Sequence, residues 1–193
     1  MDELLPAHLV TENARLKRVE TWEGSTERHH DLDWVANCWD VPTKGGYYTR
    51  RSAFWRVSRR VANQVCPAPF DDNAWSSTLA WTNLYQVAPL KRGNPAKRLR
   101  DPLRADSVHL LESDVTRLGP KRLLVLAGHD WAAPFFMHGV KWSPNGAFVQ
   151  GSGRWTLPNG QSVAVVVAKH PQGKPEDPMV SDVVAAFSKI DLP

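Results

Sequence analysis

Residues 162–175 read SVAVVVAKHPQGKP, and this stretch decides the fold because an apolar run changes abruptly into a polar loop. A continuous apolar run of this length is typical of a strand that is buried on both faces of a parallel sheet. Residues 121–127 (KRLLVLA) repeat the pattern and pass into Gly128, His129 and Asp130. We therefore expect two buried strands, each followed by a polar segment.

Helical patterns surround these strands. Residues 49–65 (TRRSAFWRVSRRVANQV) predict an amphipathic helix with one apolar face, formed by Phe54, Val57, Val61 and Val65. Residues 106–118 and 180–190 predict two further helices, and residues 78–87 (TLAWTNLYQV) predict a third strand. Residues 146–157 predict a polar hairpin arm, with a turn at residues 158–160. This order indicates an α/β sandwich with a mainly parallel sheet, formed by a single domain over residues 1–193.

The composition limits the class of protein. The chain has 193 residues and carries 24 Lys and Arg against 20 Asp and Glu, a formal net charge of +4. No apolar stretch approaches the roughly 20 residues of a membrane span, and two cysteines are too few for a disulfide framework. We therefore expect a soluble, cytoplasmic protein without a membrane partner. The basic excess permits a nucleic-acid partner, but its distribution matters more than its sum.

Familiar catalytic motifs are absent from the sequence. It contains no GxxxxGK[ST], no GxGxxG after a strand, no GxSxG and no HExxH, which leaves phosphate-binding loops, serine hydrolysis and zincin chemistry without support. His29, His30 and Asp31 could ligate a metal. Adjacent side chains on a helix diverge, however, so a solvated face is the better interpretation. We expect neither a metal nor another cofactor.

Three positions near predicted strand ends stand out. Ligands of parallel sheets bind at the carboxyl ends of the strands, which points to the segments after residues 87, 127 and 168. Asn83 interrupts an apolar run, and a structural hydrogen bond or a ligand-facing amide explains it equally well. Gly128 lets a ligand approach closely, or forms a simple strand-to-helix turn. His170 suits electrostatic or acid–base work, although a single loop histidine more often has no such role.

Three quoted segments carry a family resemblance. Residues 82–98 (TNLYQVAPLKRGNPAKR) join a strand asparagine to a loop with Pro and Gly-Asn. Residues 109–131 (HLLESDVTRLGPKRLLVLAGHDW) end a helix in Pro before an apolar strand that closes on Gly, and residues 165–173 (VVVAKHPQG) carry a late His-Pro motif. In this order they resemble the uracil-DNA glycosylase superfamily from about residue 45 onward. The resemblance implies a three-layer sandwich with a mainly parallel central sheet.

The resemblance also implies roles for matching residues. Asn83 would read the edge of a pyrimidine, and His170 would stabilise negative charge on the departing base. Tyr47 or Tyr48 would stack on that base. Apart from the resemblance, Gly128, which lets a ligand approach closely, and Asp130, a partner for hydroxyl groups, complete the predicted base-binding set. The implied DNA-contacting residues are Arg50, Arg51, Lys91, Arg92, Gln172 and Lys174, and the basic loop of residues 91–100 would carry further phosphate contacts.

The departure from the family lies at the N-terminal end. Residues 1–44, which read as mostly helical, contain no match to the family motif that positions the attacking water. Spacing to Tyr47 leaves Asn37 and Asp40 as the catalytic candidates there. Glu20 and Thr21 form a second, upstream candidate.

The function that the resemblance implies is that of a DNA glycosylase. Such an enzyme flips a modified pyrimidine out of double-stranded DNA and hydrolyses its N-glycosidic bond. The base would be bulky, such as the glucosylated hydroxymethylcytosine of phage DNA, or plain uracil, for a role in antiviral defence or in DNA repair. We expect a monomer. A catalytically silent DNA-binding module of the same fold and a small-molecule nucleoside hydrolase are the alternatives.

Overall fold

The computed structural model describes residues 32–66, 75–85, 94–137, 139–142 and 144–190. These residues belong to two compact units. The smaller unit comprises residues 82–85 and 94–114, and the larger comprises residues 32–66, 75–81 and the described residues from 115 onward. The predictions for residues 1–31, which include Glu20, Thr21 and the possible metal ligands at 29–31, lie outside the described residues.

The described elements alternate between helices and strands. Helices α1 to α6 span Asp33–Asn37, Ala53–Val65, Lys97–Arg100, Arg104–Leu118, His129–Ala132 and Glu176–Phe187. Strands β1 to β4 span Arg122–Val125, Val140–Lys141, Val149–Thr156 and Ser162–Ala168. Two short 3-10 turns cover Thr49–Arg51 and Trp75–Thr78. Among these described elements, no helix has both the length and the apolarity that crossing a membrane requires.

The four strands form one mixed sheet in the order β1-β4-β3-β2. Strand β4 runs parallel to β1 and antiparallel to β3, and β3 runs antiparallel to β2. The protein is therefore α/β, but the described sheet is not mainly parallel as the sequence predicted. An apolar run predicts burial and not direction. The direction of β4 relative to β3 is set by their hairpin, in which the Leu157 N–H donates to the Gln161 carbonyl at 2.8 Å.

Strand β4 is the centre of the larger unit. Each residue from 163 to 168 is at most 1% exposed, as the apolar run predicted. Side chains of a strand alternate between faces, and Ala164, Val166 and Ala168 pack into a core formed with α2 and α6. Val57 and Val61 of α2 belong to that core, and Phe54 and Val65 pack against it, which confirms the predicted apolar face of α2.

The prediction of a strand at residues 78–87 is wrong over its described part. Residues 75–78 form a 3-10 turn, and residues 79–85 have no regular structure. The apolar residues there produce the strand-like pattern for separate reasons, because Trp75 and Leu79 belong to an aromatic cluster and Tyr85 is buried in the smaller unit. Asn83 is accordingly exposed and does not interrupt a buried strand.

The helix boundaries also differ from the predicted ones. Helix α4 begins at Arg104, two residues before the predicted start, with Asp106 in its first turn. Helix α6 begins at Glu176, four residues before the predicted start, with Glu176 and Asp177 in its first turn. Acidic side chains are favourable there because they complement the positive end of the helix dipole.

Strands β2 and β3 approach each other closely at two glycines. Gly153 pairs with Val140, and a Cβ atom on Gly153 would overlap the carbonyl oxygen of Gly139. A Cβ atom on Gly139 would in turn overlap the carbonyl oxygen of Arg154. Backbone atoms cannot move aside as a flexible side chain can, so both positions require glycine.

Replacing Gly153 by alanine should therefore destabilise the protein. We expect Gly153→Ala to lower the free energy of unfolding by about 1–3 kcal/mol, the usual range for forcing an extra methyl group into a packed site. Denaturant unfolding measures this change in the free energy of unfolding. Gly45→Ala is the control, because a Cβ atom there meets only Thr43 Oγ1, at 3.9 Å. Equal stabilities of the two variants would contradict the close approach.

Candidate active site at the carboxyl edge of the sheet

Three chain segments meet at one edge of the sheet. Strands β1 and β4 are parallel and end there, and the antiparallel β3 begins there. The Gly128 N–H donates to the Ala168 carbonyl at 3.0 Å, and the Lys169 N–H donates to the Phe148 carbonyl at 3.0 Å. The segment after β1 and the segment after β4 are thus neighbours, as the rule about strand ends predicts.

The loop that follows β4, residues 169–175, holds His170 in a defined orientation; we call it the His170 loop. The His170 side chain is exposed, and its ring stacks on Phe54 with centroids 6.5 Å apart and planes 27° apart. The Gln172 N–H donates to His170 Nδ1 at 3.2 Å. Because Nδ1 accepts this bond, the neutral ring carries its proton on Nε2. Nε2–H is therefore the group that His170 can offer as a donor.

A tight turn fixes the rest of the His170 loop. The Lys174 N–H donates to the Pro171 carbonyl at 3.0 Å, and Gly173 between them has a φ of +70°. A positive φ at the third position of such a turn is typical of type II turns and favours glycine there. Gln172 and Lys174, two of the predicted DNA-contacting residues, are exposed on this turn.

The segment after β1 adds a second polar group to the edge. Gly128 has φ +80° and ψ 169°, which only glycine adopts readily. The Gln150 side chain accepts a hydrogen bond from the His129 N–H at 3.0 Å and so orients this segment. The His129 ring contacts Trp142 edge-on at 4.9 Å, and its Nδ1 lies 3.1 Å from Asp130 Oδ1. The Asp130 side chain is 96% exposed, so this pair contributes little to stability.

An ion pair anchors the far end of the His170 loop to helix α2. Arg56 Nε donates to both carboxylate oxygens of Glu176, at 2.9 and 3.2 Å. The hydrogen bond with Glu176 raises the pKa of the Arg56 guanidinium above its ordinary value. Glu176 directly follows the loop, and Arg56 lies two residues after Phe54. The same helix therefore supplies the ring beside His170 and the anchor of its loop.

Tyrosine and arginine side chains form a cluster just before helix α2. The guanidinium carbons of Arg50 and Arg51 lie 5.2 and 4.9 Å from the centroid of the Tyr48 ring. Arg50 also lies 3.8 Å from the carboxylate of Asp40. Tyr47 is 42% exposed. Since Tyr48 already packs against two guanidinium groups, Tyr47 is the better candidate of the two for stacking on a ligand.

The structure describes only some of the remaining predicted residues. Asn37 and Asp40 are exposed, and within the described part of the chain neither forms a hydrogen bond with His170. Asn83 belongs to the smaller unit, and its role as a reader of the base stays a prediction. Lys91 and Arg92 lie outside the described residues. Lys97 of the predicted basic loop pairs with Asp101 at 2.6 Å, which offsets one of the charges predicted to contact phosphates.

Sequence reasoning missed Phe54, Gln150 and Glu176. Phe54 was interpreted as one of four core residues because it shares the apolar face of α2, whereas it also contacts His170. Gln150 and Glu176 act through contacts with residues 21 and 120 positions away. No local pattern reports such pairings.

No family model, no curated protein and no solved structure matches this chain. Over the ranges that the structure describes, no group of three or more His, Cys, Asp or Glu side chains is arranged to hold a metal ion.

The Arg56–Glu176 pair should contribute measurably to stability. We expect Glu176→Gln to lower the free energy of unfolding by about 1 kcal/mol, since the pair is partly buried and hydrogen-bonded. The effect should nearly vanish in an Arg56→Ala background, which a double-mutant cycle measures. Asp177→Asn is the matched control. Because the Asp177 side chain is 88% exposed, we expect this substitution to lower the free energy of unfolding by less. Additive single effects would show that the pair does not couple.

The hydrogen bond to Nδ1 should appear in the tautomer of His170. In the neutral ring, ¹⁵N NMR should show the proton on Nε2. Gln172→Pro removes the donor and should weaken this preference. Proline suits the position because it is the second residue of a turn. A ring protonated on Nδ1 in the parent protein would contradict the assignment.

Proposed function

We propose that this protein is a DNA glycosylase that acts at the carboxyl edge of its sheet. The reaction breaks the bond between C1′ of deoxyribose and the base nitrogen, and the base leaves with the electron pair. Water then forms the new bond to C1′, and its proton is released. Together with this function we propose a three-layer sandwich fold of the uracil-DNA glycosylase type. The burial of β4 on both faces supports this fold.

The observation that carries the proposal is the orientation of His170. Negative charge develops on the departing base, so the site needs a donor aimed at it. With Nδ1 accepting from the Gln172 N–H, His170 offers Nε2–H without first gaining a proton. The Phe54 ring supports the imidazole, and the turn at Gly173 and the Glu176 anchor hold the loop that carries it. Such preorganisation is what makes a donor effective in a transition state.

The base needs room and an aromatic face. Gly128 has no side chain at the edge, and Asp130, two residues later, extends into solvent. Tyr47, half exposed, is the proposed stacking ring. Arg51 and Lys174 are exposed and suit contacts with phosphates, which position the DNA without reading its sequence.

A bulky modified pyrimidine is the substrate that we favour over uracil. Sugar-bearing ligands need aromatic faces and partners for hydroxyl groups. The edge carries both, because His129 packs on Trp142 beside the exposed Asp130 carboxylate. Excision of such a base from phage DNA would serve antiviral defence, and excision of uracil would serve repair.

A catalytically silent DNA-binding module is the second candidate. It is favoured by one observation, that Asn37 and Asp40 form no hydrogen bond with His170 among the described residues. A protein that kept the basic and aromatic surfaces without a group to activate water would bind DNA and leave it intact.

His170→Ala should separate these functions. We expect it to slow base release by roughly 10²–10³-fold while DNA affinity changes little, because the interaction strengthens only in the transition state. Alkaline cleavage of abasic sites measures release from uracil-containing duplex and from glucosylated phage DNA. His109→Ala is the control, an exposed histidine in the smaller unit.

Three outcomes would contradict the proposal. Equal losses of affinity and rate in His170→Ala would make His170 a docking residue. DNA binding by the parent protein with no release of any base would favour the silent module. Hydrolysis of free nucleosides with no action on DNA would favour a nucleoside hydrolase. Rapid release of uracil without attack on phage DNA would leave the glycosylase proposal and remove the bulky substrate.

A further inference from the structure

Two tryptophans near the proposed site are unusually exposed. The chain has nine Trp residues, and Trp34 and Trp81 are 45% and 51% exposed. Both contact Trp55, which is only 7% exposed, with centroids 6.0 and 6.1 Å apart. Trp55 in turn belongs to the buried cluster that includes Leu32, Val35 and Trp75. The exposed rings therefore rest on a rigid aromatic base; we call Trp34 and Trp81 the tryptophan platform.

The platform is linked to the proposed active site through adjoining rings. Trp55 contacts Phe54 edge-on at 4.9 Å, and Phe54 stacks on His170 at 6.5 Å. Because Phe54 and Trp55 are consecutive residues of α2, the site and the platform are fixed to the same helix. Ring contacts therefore run without interruption from His170 through Phe54 and Trp55 to the platform.

Positive charge lies within the aromatic cluster that supports the platform, because the guanidinium carbon of Arg59 is 5.8 Å from the ring centroid of Trp75. Residues 32–66, which contain Trp34 and Trp55, hold six basic and two acidic residues. Arg56 and Arg60 are compensated by Glu176 and Asp177. Arg51 packs on Tyr48, and no acidic partner for it is found among the described residues. This segment therefore combines exposed aromatic rings with a net positive charge.

Exposed aromatic rings beside positive charge are typical of surfaces that bind single-stranded nucleic acid. Every base has an aromatic face, and that face is accessible only when the base is unpaired. From these observations we infer that the tryptophan platform stacks on unpaired bases next to the excised one, so that the protein prefers single-stranded over duplex DNA. This inference rests on the proposed function and defines the form of its substrate.

The affinity for a single strand tests the inference. Fluorescence anisotropy of the full-length protein with a labelled thymidine oligonucleotide of about ten residues should show tighter binding than with a blunt duplex of equal length. Trp34→Ala and Trp81→Ala should each weaken binding to the single strand by roughly 5- to 150-fold, the range for loss of one stacked base. The dependence of affinity on salt should stay unchanged, since stacking releases no counterions.

Matched variants separate stacking from folding. Trp34→Phe and Trp81→Phe keep an aromatic face and should retain most of the affinity, and they stay informative if an alanine variant fails to fold. Leu118→Ala is the control, because Leu118 is 50% exposed at the end of α4. Equal affinity for duplex and single strand, unchanged affinity of the alanine variants, or a change only in self-association measured by sedimentation would overturn the inference.

Failure of this inference can be distinguished from failure of the proposed function. If no base is released from any substrate but single-strand binding still depends on the two tryptophans, the platform stands and the glycosylase proposal fails. If bases are released and the tryptophan variants bind normally, the glycosylase proposal stands and the platform is overturned.

Discussion

Burial of strand β4 on both faces is the constraint on which the rest of the larger unit depends. A buried strand must satisfy its backbone donors and acceptors through neighbouring strands, because water cannot reach them. Strands β1 and β3 supply these bonds on its two sides. Wherever β4 ends, the chain must then leave the core and become polar. The loop with His170 lies at that exit, next to the end of β1, because parallel strands end at the same edge.

Helix α2 connects the core to the site. Its apolar face covers one side of the sheet together with α6. Phe54, at its N-terminal end, packs against both the main core and the aromatic cluster around Trp55, and it also contacts His170. Arg56, two residues after Phe54, anchors the end of the His170 loop. Loops that carry functional residues usually need such support from a rigid scaffold. Here one helix provides a supporting ring and an ion pair.

The sequence predicted those parts of the structure that depend on local composition. The apolar run of β4, its polar exit, the hairpin before it and the apolar face of α2 all follow from patterns within about twenty residues. The mixed direction of the strands did not follow, because an apolar run indicates burial and not direction. The start of α6 did not follow either, because Glu176 in its first turn is held by Arg56, a partner 120 residues away. The strand predicted around Asn83 was wrong because alternation of apolar residues also arises when single side chains of a loop are buried in different places.

His170 and Gly128 lie at the sheet edge to which the sequence pointed, but the side chains that support them were not predicted. His170 and Gly128 could be identified from their positions after apolar runs, whereas Phe54, Gln150 and Glu176 contribute only through the fold. The proposed water-positioning residues were inferred from spacing to Tyr47, and spacing along the chain does not set a distance in space. Accordingly, neither Asn37 nor Asp40 forms a hydrogen bond with His170 among the described residues.

The exposure of His170 bears on the kind of substrate that the proposed reaction requires. A donor in contact with water stabilises charge weakly, because the high dielectric constant of water screens the interaction; the same donor is far more effective once water is excluded. His170 is exposed, so a substrate that covers it would make this donor more effective in the proposed reaction. A free nucleoside is too small to cover both the imidazole and the adjoining aromatic surface. A DNA strand that extends from the excised base over Phe54 to the tryptophans would exclude water from His170, which favours a polymeric substrate over a small one on physical grounds.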